Sequence, residues 1–166
     1  MKNPNLDLLI TVVKKLEPIL DEIVFVGGCA TGLLVTDPGA AAVRRTFDVD
    51  VIAEIISYPG LVAFSERLEK LGFTRDTSEG APNCRWICEG SKLDVMPLEE
   101  NLLGFSNRWY REAMETAVRF DLPSGQRIRV ITAPYFVATK LEAFHGRGKG
   151  DFLSSHDLVD VITVLD

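Results

Sequence analysis

Three aspartates interrupt segments that are otherwise apolar, and they are the first candidates for chemistry in this chain. Asp48 and Asp50 alternate with valines in one such segment, and Asp94 lies inside a second. On a strand, residues two apart point to the same face, so Asp48 and Asp50 are expected side by side. Neighbouring carboxylates repel each other unless a cation lies between them, and buried ones are costly unless paired or liganded. The pattern predicts a Mg²⁺ (or Mn²⁺) site of the two-metal type that serves phosphoryl transfer.

A glycine pair, Gly27-Gly28, follows the short apolar run Ile23–Val26. Glycine allows unusual backbone angles and a close approach to a ligand. The helix expected after the pair would direct its first N–H groups at an anion such as a triphosphate. Taken alone the pair is also typical of a plain tight turn, but together with the three aspartates it favours a nucleotide site.

The elements that must position these residues follow from hydrophobic periodicity and turn residues. Strands are predicted at residues 23–26, 47–55, 85–89, 92–96, 116–122 and 127–131. Helices are predicted at residues 7–20, 30–35, 61–71, 134–145 and 155–165. The predicted fold class is α/β (α+β), with a small twisted mixed sheet and flanking helices. We expect one domain over residues 1–166, with the C-terminal helices, about 134–166, packed on the core.

The charge, apolar runs and cysteine count of the chain limit the classes of protein to which it can belong. A net charge of −6 and a pI near 5.0 argue against a broad nucleic-acid-coating surface, although a local basic patch is compatible with them. The chain contains no apolar run of the ~18–20 residues that a membrane span needs, and its start lacks a secretion signal. Three cysteines cannot all pair within one chain. We therefore expect a cytoplasmic protein with free, mostly buried thiols.

A family resemblance rests on the glycines and aspartates together. The residues that carry it are Gly27-Gly28, the string Arg44-x-Thr46-x-Asp48-x-Asp50, and Asp94. This set resembles the polymerase-β-like nucleotidyltransferase superfamily. The resemblance implies transfer of a nucleoside monophosphate from an NTP to a hydroxyl group, with Mg²⁺. In that pattern Asp48, Asp50 and Asp94 hold one ion, and Asp48 with Asp50 hold a second.

The C-terminal part resembles one branch of that superfamily. Lys140, Ala143 and Arg147 form a Lys-x-x-Ala-x-x-x-Arg motif, and Asp157 and Asp160 form a following Asp-x-x-Asp. This is similar to the AbiEii-type branch, which includes the toxin nucleotidyltransferases of AbiE and MenT toxin–antitoxin systems. The resemblance implies RNA (tRNA), a protein or a small molecule as acceptor, and an antitoxin protein as a further partner.

Several residues are expected to bind the nucleotide beside the glycines. Arg44 is expected to bind phosphate or else to pair with Asp48, and Thr46 to support the aspartate loop by hydrogen bonding. Lys140 is expected to reach the β- and γ-phosphates as a point charge; an ordinary solvated lysine is the alternative.

Three further residues are candidates for support of the site. Arg147 would contact substrate or phosphate, or else belong to a solvated turn. Asp157 and Asp160 lie one helical turn apart, so they can face Lys140 or Arg147 together. Their other possible role is electrostatic stabilisation of a helix N-terminus.

Three alternatives to this enzyme stay open on the sequence. One is a non-catalytic nucleotide- or partner-binding module with the same fold. A second is an antibiotic nucleotidyltransferase, since such enzymes share the Gly-Gly and Asp-x-Asp parts. A third is a structural domain of a toxin–antitoxin assembly, in which the acidic surface meets a basic partner.

Overall fold

A computed structural model describes residues 3–37, 39–147, 152 and 154–166. Its strands are β1 (Ile23–Val26), β2 (Asp48–Ala53), β3 (Thr74–Arg75), β4 (Arg85–Cys88), β5 (Ser91–Met96), β6 (Val118–Asp121) and β7 (Arg127–Val130). Its α-helices are α1 (Leu6–Lys15), α2 (Gly27–Leu34), α3 (Tyr58–Lys70), α4 (Glu100–Leu103), α5 (Tyr110–Glu115), α6 (Ala133–Arg147) and α7 (His156–Leu165). A 3-10 helix, Glu17–Glu22, joins α1 to β1.

The strands form one seven-stranded sheet in the order β3-β4-β5-β2-β1-β7-β6. Strands β2 and β5 are parallel, as are β1 and β7, and the other neighbours are antiparallel. This mixed sheet with flanking helices confirms the predicted α/β fold class. Because β2 and β5 are parallel, the chain must cross from one to the other through α3 and the β3-β4 hairpin.

The centre of the sheet is the centre of the core. Every residue of β1 is buried, as an apolar strand covered on both faces should be. Helix α1 buries Leu9, Val12 and Val13, which recur at helical spacing, and lies against β2 and β5. The polar residues at the start of β2 are therefore positioned by buried apolar elements, strand β1 and helix α1.

The first helix ends earlier than its apolar pattern predicts. The α-helix stops at Lys15, and the 3-10 helix Glu17–Glu22 follows instead of continuing to Leu20. Pro18 accounts for the change because it has no N–H to donate and disfavours the α conformation at the residue before it.

Two other helices begin earlier than predicted. Helix α2 starts at Gly27, directly after β1, and not at Ala30. Helix α3 starts at Tyr58, where the Ser57 hydroxyl accepts a hydrogen bond from the Gly60 N–H at 3.2 Å. The elements that the sequence pattern missed, β3, α4 and α5, have two, four and six residues, too few to show a clear period.

In the part of the chain that the structure describes, none of the helices has both the length and the apolar character needed to cross a membrane.

Candidate functional site

The sheet register brings two of the predicted metal ligands together. Directly opposed residues form one row across β1, β2, β5 and β4, and they are Val26, Asp50, Asp94 and Arg85. Opposed residues in a sheet point to the same face. Asp50 and Asp94 therefore project from adjacent strands on one face, as neighbours.

Asp48 lies on the same face, because it is two residues before Asp50 on β2. Its register partner on β5 is Lys92, a half-buried residue. The face thus carries three carboxylates close to two basic residues, Lys92 and Arg85. Neither of these basic residues was among the sequence candidates.

Arg85 binds two of the three aspartates. Its Nε donates to Asp94 Oδ1 at 2.8 Å and its Nη2 to Asp94 Oδ2 at 2.7 Å. The same Nη2 donates to Asp48 Oδ2 at 2.8 Å. The hydrogen bond to Asp94 raises the pKa of Arg85, and the charges of Asp94 and Asp48 add to this while burial opposes it. The guanidinium is a fixed positive charge between two carboxylates.

The position of Arg85 follows from a tight hairpin. Glu89 and Gly90 both have positive φ, 50° and 80°, as a two-residue turn of type I′ requires. That turn pairs Cys88 with Ser91, and the register then sets Arg85 opposite Asp94. The sequence predicts the hairpin, so its register was the signal that could have found Arg85.

Gly27 lies against the carboxylate of Asp50. Strand β1 ends at Val26, opposite Asp50, and Gly27 turns the chain into α2 with a φ of +63°. A Cβ at Gly27 would lie 1.9 Å from Asp50 Oδ2, so no other residue fits there without moving Asp50. Glycine is required at this position for two reasons: its backbone angle is left-handed, and the Asp50 carboxylate lies where a Cβ would be.

Gly28 lies against the loop that precedes β2. A Cβ at Gly28 would be 3.1 Å from Thr46 Cβ and 3.2 Å from Arg44 Nη2. The Thr46 hydroxyl donates to Asp48 Oδ1 at 2.8 Å, the kind of contact expected of a residue that supports the aspartate loop. The first turn of α2, Thr46 and the triad therefore form one continuous surface.

Asn5, which the sequence reasoning missed, holds the loop before β2 in place through hydrogen bonds. The residue is 1% exposed. The Thr46 N–H donates to Asn5 Oδ1 at 2.9 Å, and Asn5 Nδ2 donates to the Arg44 carbonyl at 2.9 Å. No local pattern marks an asparagine that acts on a loop about forty residues away, so only the tertiary structure identifies it.

A buried ion network lies on the other side of the loop. Lys140 Nζ is 2.7 Å from Asp160 Oδ2 and 3.2 Å from Asp157 Oδ1. Asp160 is 1% exposed and also accepts from Arg44, with Nη2 at 3.2 Å. The network connects α6 and α7 to the residue that lies against Gly28.

These contacts test one of the roles expected for Arg44 and one of those expected for Lys140. The ion partner of Arg44 is Asp160, and the arginine bound to Asp48 is Arg85, so the expected Arg44–Asp48 pair is wrong. Lys140 is 9% exposed and is not a solvated lysine. Arg147 is the last residue of α6, but its side chain lies outside the described part of the chain.

The chemistry of the triad suits a cation. Within residues 3–37, 39–147, 152 and 154–166, no three Asp, Glu, His or Cys side chains are grouped closely enough to hold a metal ion as they stand. However, carboxylate oxygens of Asp48 and Asp94 already bind one positive charge, that of Arg85. Gly27, which has no side chain, leaves room for the Asp50 carboxylate beside them. The donor set fits Mg²⁺ or Mn²⁺ better than a softer metal.

The sequence matches no protein-family model and no curated protein sequence. Several solved structures resemble the chain in fold, among them the following two. An antigenic nucleotidyltransferase-like protein from Paracoccidioides brasiliensis aligns over 96% of this chain and 76% of its own, with a TM-score of 0.61 and 21% identity. The antibiotic-resistance factor ANT(2'')-Ia aligns over 100% of this chain and 86% of its own, with a TM-score of 0.57 and 11% identity. The chain therefore has the nucleotidyltransferase fold.

Proposed function

We propose that this protein is a Mg²⁺-dependent nucleotidyltransferase that moves a nucleoside monophosphate from an NTP to a hydroxyl acceptor. The observation that carries the proposal is the common face of Asp48, Asp50 and Asp94 beside the Gly27 turn, in a fold shared with nucleotidyltransferase-like proteins. A module that binds no metal would have little need for three carboxylates on one face, with one arginine bound to two of them.

The proposed roles follow the geometry. Asp48, Asp50 and Asp94 hold divalent ions, which when bound lower the pKa of the acceptor hydroxyl and offset the charge of the triphosphate. The Gly27-Gly28 backbone and the start of α2 cradle the phosphates. Thr46 fixes the rotamer of Asp48 through its hydroxyl.

Arg44 supplies positive charge to the triphosphate from its place against Gly28. In the proposal Lys140 acts with it, since both cations share Asp160. The structure describes Lys140 as the partner of two carboxylates, so a direct contact with the β- and γ-phosphates would require exchange of these partners. That contact, and the contribution of Arg147, stay predictions from the sequence.

The finer assignment that we propose is the AbiEii/MenT-type branch. Its support is that the branch motifs meet in space: the motif lysine, Lys140, is ion-paired with both aspartates of the Asp-x-x-Asp. On this proposal the acceptor is RNA (tRNA) or a protein, and an antitoxin protein is a further partner. The protein then acts in the cytoplasm.

A second candidate is a nucleotidyltransferase of small-molecule antibiotics. The observation that favours it is the fold similarity, over the whole of this chain, to ANT(2'')-Ia, which is described as an antibiotic-resistance factor. The two candidates differ in the acceptor and share the proposed triad.

One experiment tests both candidates. The protein is incubated with each α-labelled NTP, Mg²⁺, and total RNA, total protein or a panel of hydroxyl-bearing antibiotics, and label transfer is measured. We expect transfer to one acceptor class, and a loss of at least about a hundredfold in Asp48→Ala, because even groups that only orient metal ligands are worth 10–100-fold.

The matched control is Asp121→Asn, which removes an exposed carboxylate on β6, at the far edge of the sheet. It should label like the wild type. Equal labelling by wild type and Asp48→Ala would contradict the proposed function. NTP binding without transfer in any acceptor mixture would favour the non-catalytic module.

A further inference from the structure

Resting on the proposed function, we propose that Arg85 is a resident counter-ion of the triad, which occupies the cation position between Asp48 and Asp94 and leaves it when a divalent ion binds. Metal affinity is then set by competition between the ion and a side chain of the protein itself.

The first support is geometric. A single nitrogen, Arg85 Nη2, is 2.7 Å from Asp94 Oδ2 and 2.8 Å from Asp48 Oδ2. Mg²⁺ binds carboxylate oxygens at about 2.0–2.1 Å, so an ion held by these two oxygens would need the space that the nitrogen occupies. The guanidinium nitrogen and the ion cannot both occupy this position.

The second support is electrostatic. The side chains of Arg85, Asp94 and Asp48 are 16%, 10% and 31% exposed, so their charges interact with little screening by solvent. Without a metal, the carboxylates gain from the guanidinium, which offsets their repulsion. With a divalent ion bound, the guanidinium would repel it from a few ångströms away.

A third observation gives the displaced side chain a place to go. Asp76 lies next to Arg85 on the side away from Asp94, where its backbone N–H donates to the Arg85 carbonyl at 3.1 Å. Asp76 is half-buried, and its Oδ1 accepts hydrogen bonds from the Ser78 N–H at 3.0 Å and the Ser78 hydroxyl at 2.6 Å, which leaves Oδ2 for a further partner. Rotation of the long Arg85 side chain from the β5 side of β4 towards the β3 side would exchange one acidic neighbour for another, without a change in the fold.

The test measures Mn²⁺ binding directly, from the electron paramagnetic resonance signal of the free ion, in wild type, Arg85→Gln and Arg85→Lys. A cation beside a carboxylate changes its affinity for a proton by about 1–3 pKa units, so removal of the cation should change the affinity for a metal by a comparable factor. We expect Arg85→Gln to bind Mn²⁺ about tenfold or more tightly than wild type.

Arg75→Gln is the matched control, because Arg75 is an arginine of the adjacent strand β3 that stacks on Trp86 at 4.5 Å. It should bind Mn²⁺ like the wild type. Addition of Asp50→Asn to Arg85→Gln should abolish the gain, which assigns the binding to the triad. If Arg85→Gln does not fold, Arg85→Lys decides. A lysine has one nitrogen and cannot make the two-nitrogen contact of Arg85 with Asp94, so this variant should also bind Mn²⁺ more tightly than wild type.

Equal or weaker Mn²⁺ binding in Arg85→Gln, with wild-type binding that Asp50→Asn removes, would overturn this inference and leave the proposed function standing. If neither wild type nor Arg85→Gln binds Mn²⁺ in a manner sensitive to Asp50→Asn, both proposals fail.

Discussion

At the scale of single residues, the site depends on positions where only one side chain fits. Gly27 is the clearest case, because its backbone angle is left-handed and the Asp50 carboxylate fills the space of a Cβ. Asn5 is a second, since its one side chain holds both the Thr46 N–H and the Arg44 carbonyl. Such residues act on the site through geometry and carry none of its charge.

Gly27→Ala should destabilise the protein more than Gly80→Ala does. Both glycines have positive φ, +63° and +80°, but a Cβ at Gly80 would meet no atom within 4 Å. Gly80→Ala should cost about 1–2 kcal/mol from backbone strain alone. Gly27→Ala should cost at least about 1 kcal/mol more, because Asp50 must move. Urea unfolding measures both free energies, and equal losses would contradict the close approach of Gly27 and Asp50.

At the scale of elements, the C-terminal helices are joined to the site by charge. Asp160 on α7 holds Lys140 on α6 and Arg44 in the loop before β2. A buried carboxylate with two cationic partners stabilises an arrangement only while all its members are present. The network therefore couples the docking of α6 and α7 to the position of Arg44.

Asp160→Asn should lower the free energy of unfolding by about 3–5 kcal/mol, since it leaves Lys140 and Arg44 short of negative charge in a buried place. Asp121→Asn, which breaks an exposed pair with Arg127, should lower the free energy of unfolding far less, because solvent screens an exposed ion pair. Thermal or urea unfolding compares them. Similar losses in Asp160→Asn and Asp121→Asn would count against a buried network.

At the scale of the whole molecule, the sheet determines which side chains are exposed to solvent and which are buried. All three cysteines are free and buried, as the sequence predicts. Burial raises the pKa of Cys84 to about 12, with the charges of Asp94 and Asp50 adding to the effect. Burial also raises the pKa of Cys29, and the charges of Asp50 and Asp48 again add to it. The apolar core beneath the triad therefore keeps these thiols protonated.

The folded protein should react slowly with a disulfide reagent at pH 8, where a pKa of about 12 leaves roughly one Cys84 thiol in ten thousand ionised. Because the pKa is raised, the reactive thiolate fraction should grow as pH rises towards that value. Absorbance of the released thiolate follows the reaction, and the guanidinium-unfolded chain, in which all three cysteines should react at once, is the control. Rapid labelling of Cys84 in the folded state would contradict its burial.

The sequence by itself determined the parts of the site that local rules control. Alternation with valine places Asp48 and Asp50 on one face of a strand, and Gly27-Gly28 ends the strand before it. The predicted bounds of β1 and α7, whose ends are marked by Gly27 and Ser155, agree with the structure to within one residue. The predicted end of α1 and start of α3 are wrong, because Pro18 lacks a backbone donor and the Ser57 hydroxyl caps a helix that begins earlier.

Only the tertiary structure decided which charges meet. The parallel pairing of β2 with β5 places Asp50 opposite Asp94, and the hairpin brings Arg85 into the triad. Asp160 reaches Arg44 across 116 residues of sequence. Hydrophobic periodicity specifies which face of an element is buried, but strand order and register depend on long-range packing that no local pattern contains. The cationic partner of each carboxylate can therefore be read only from the folded structure.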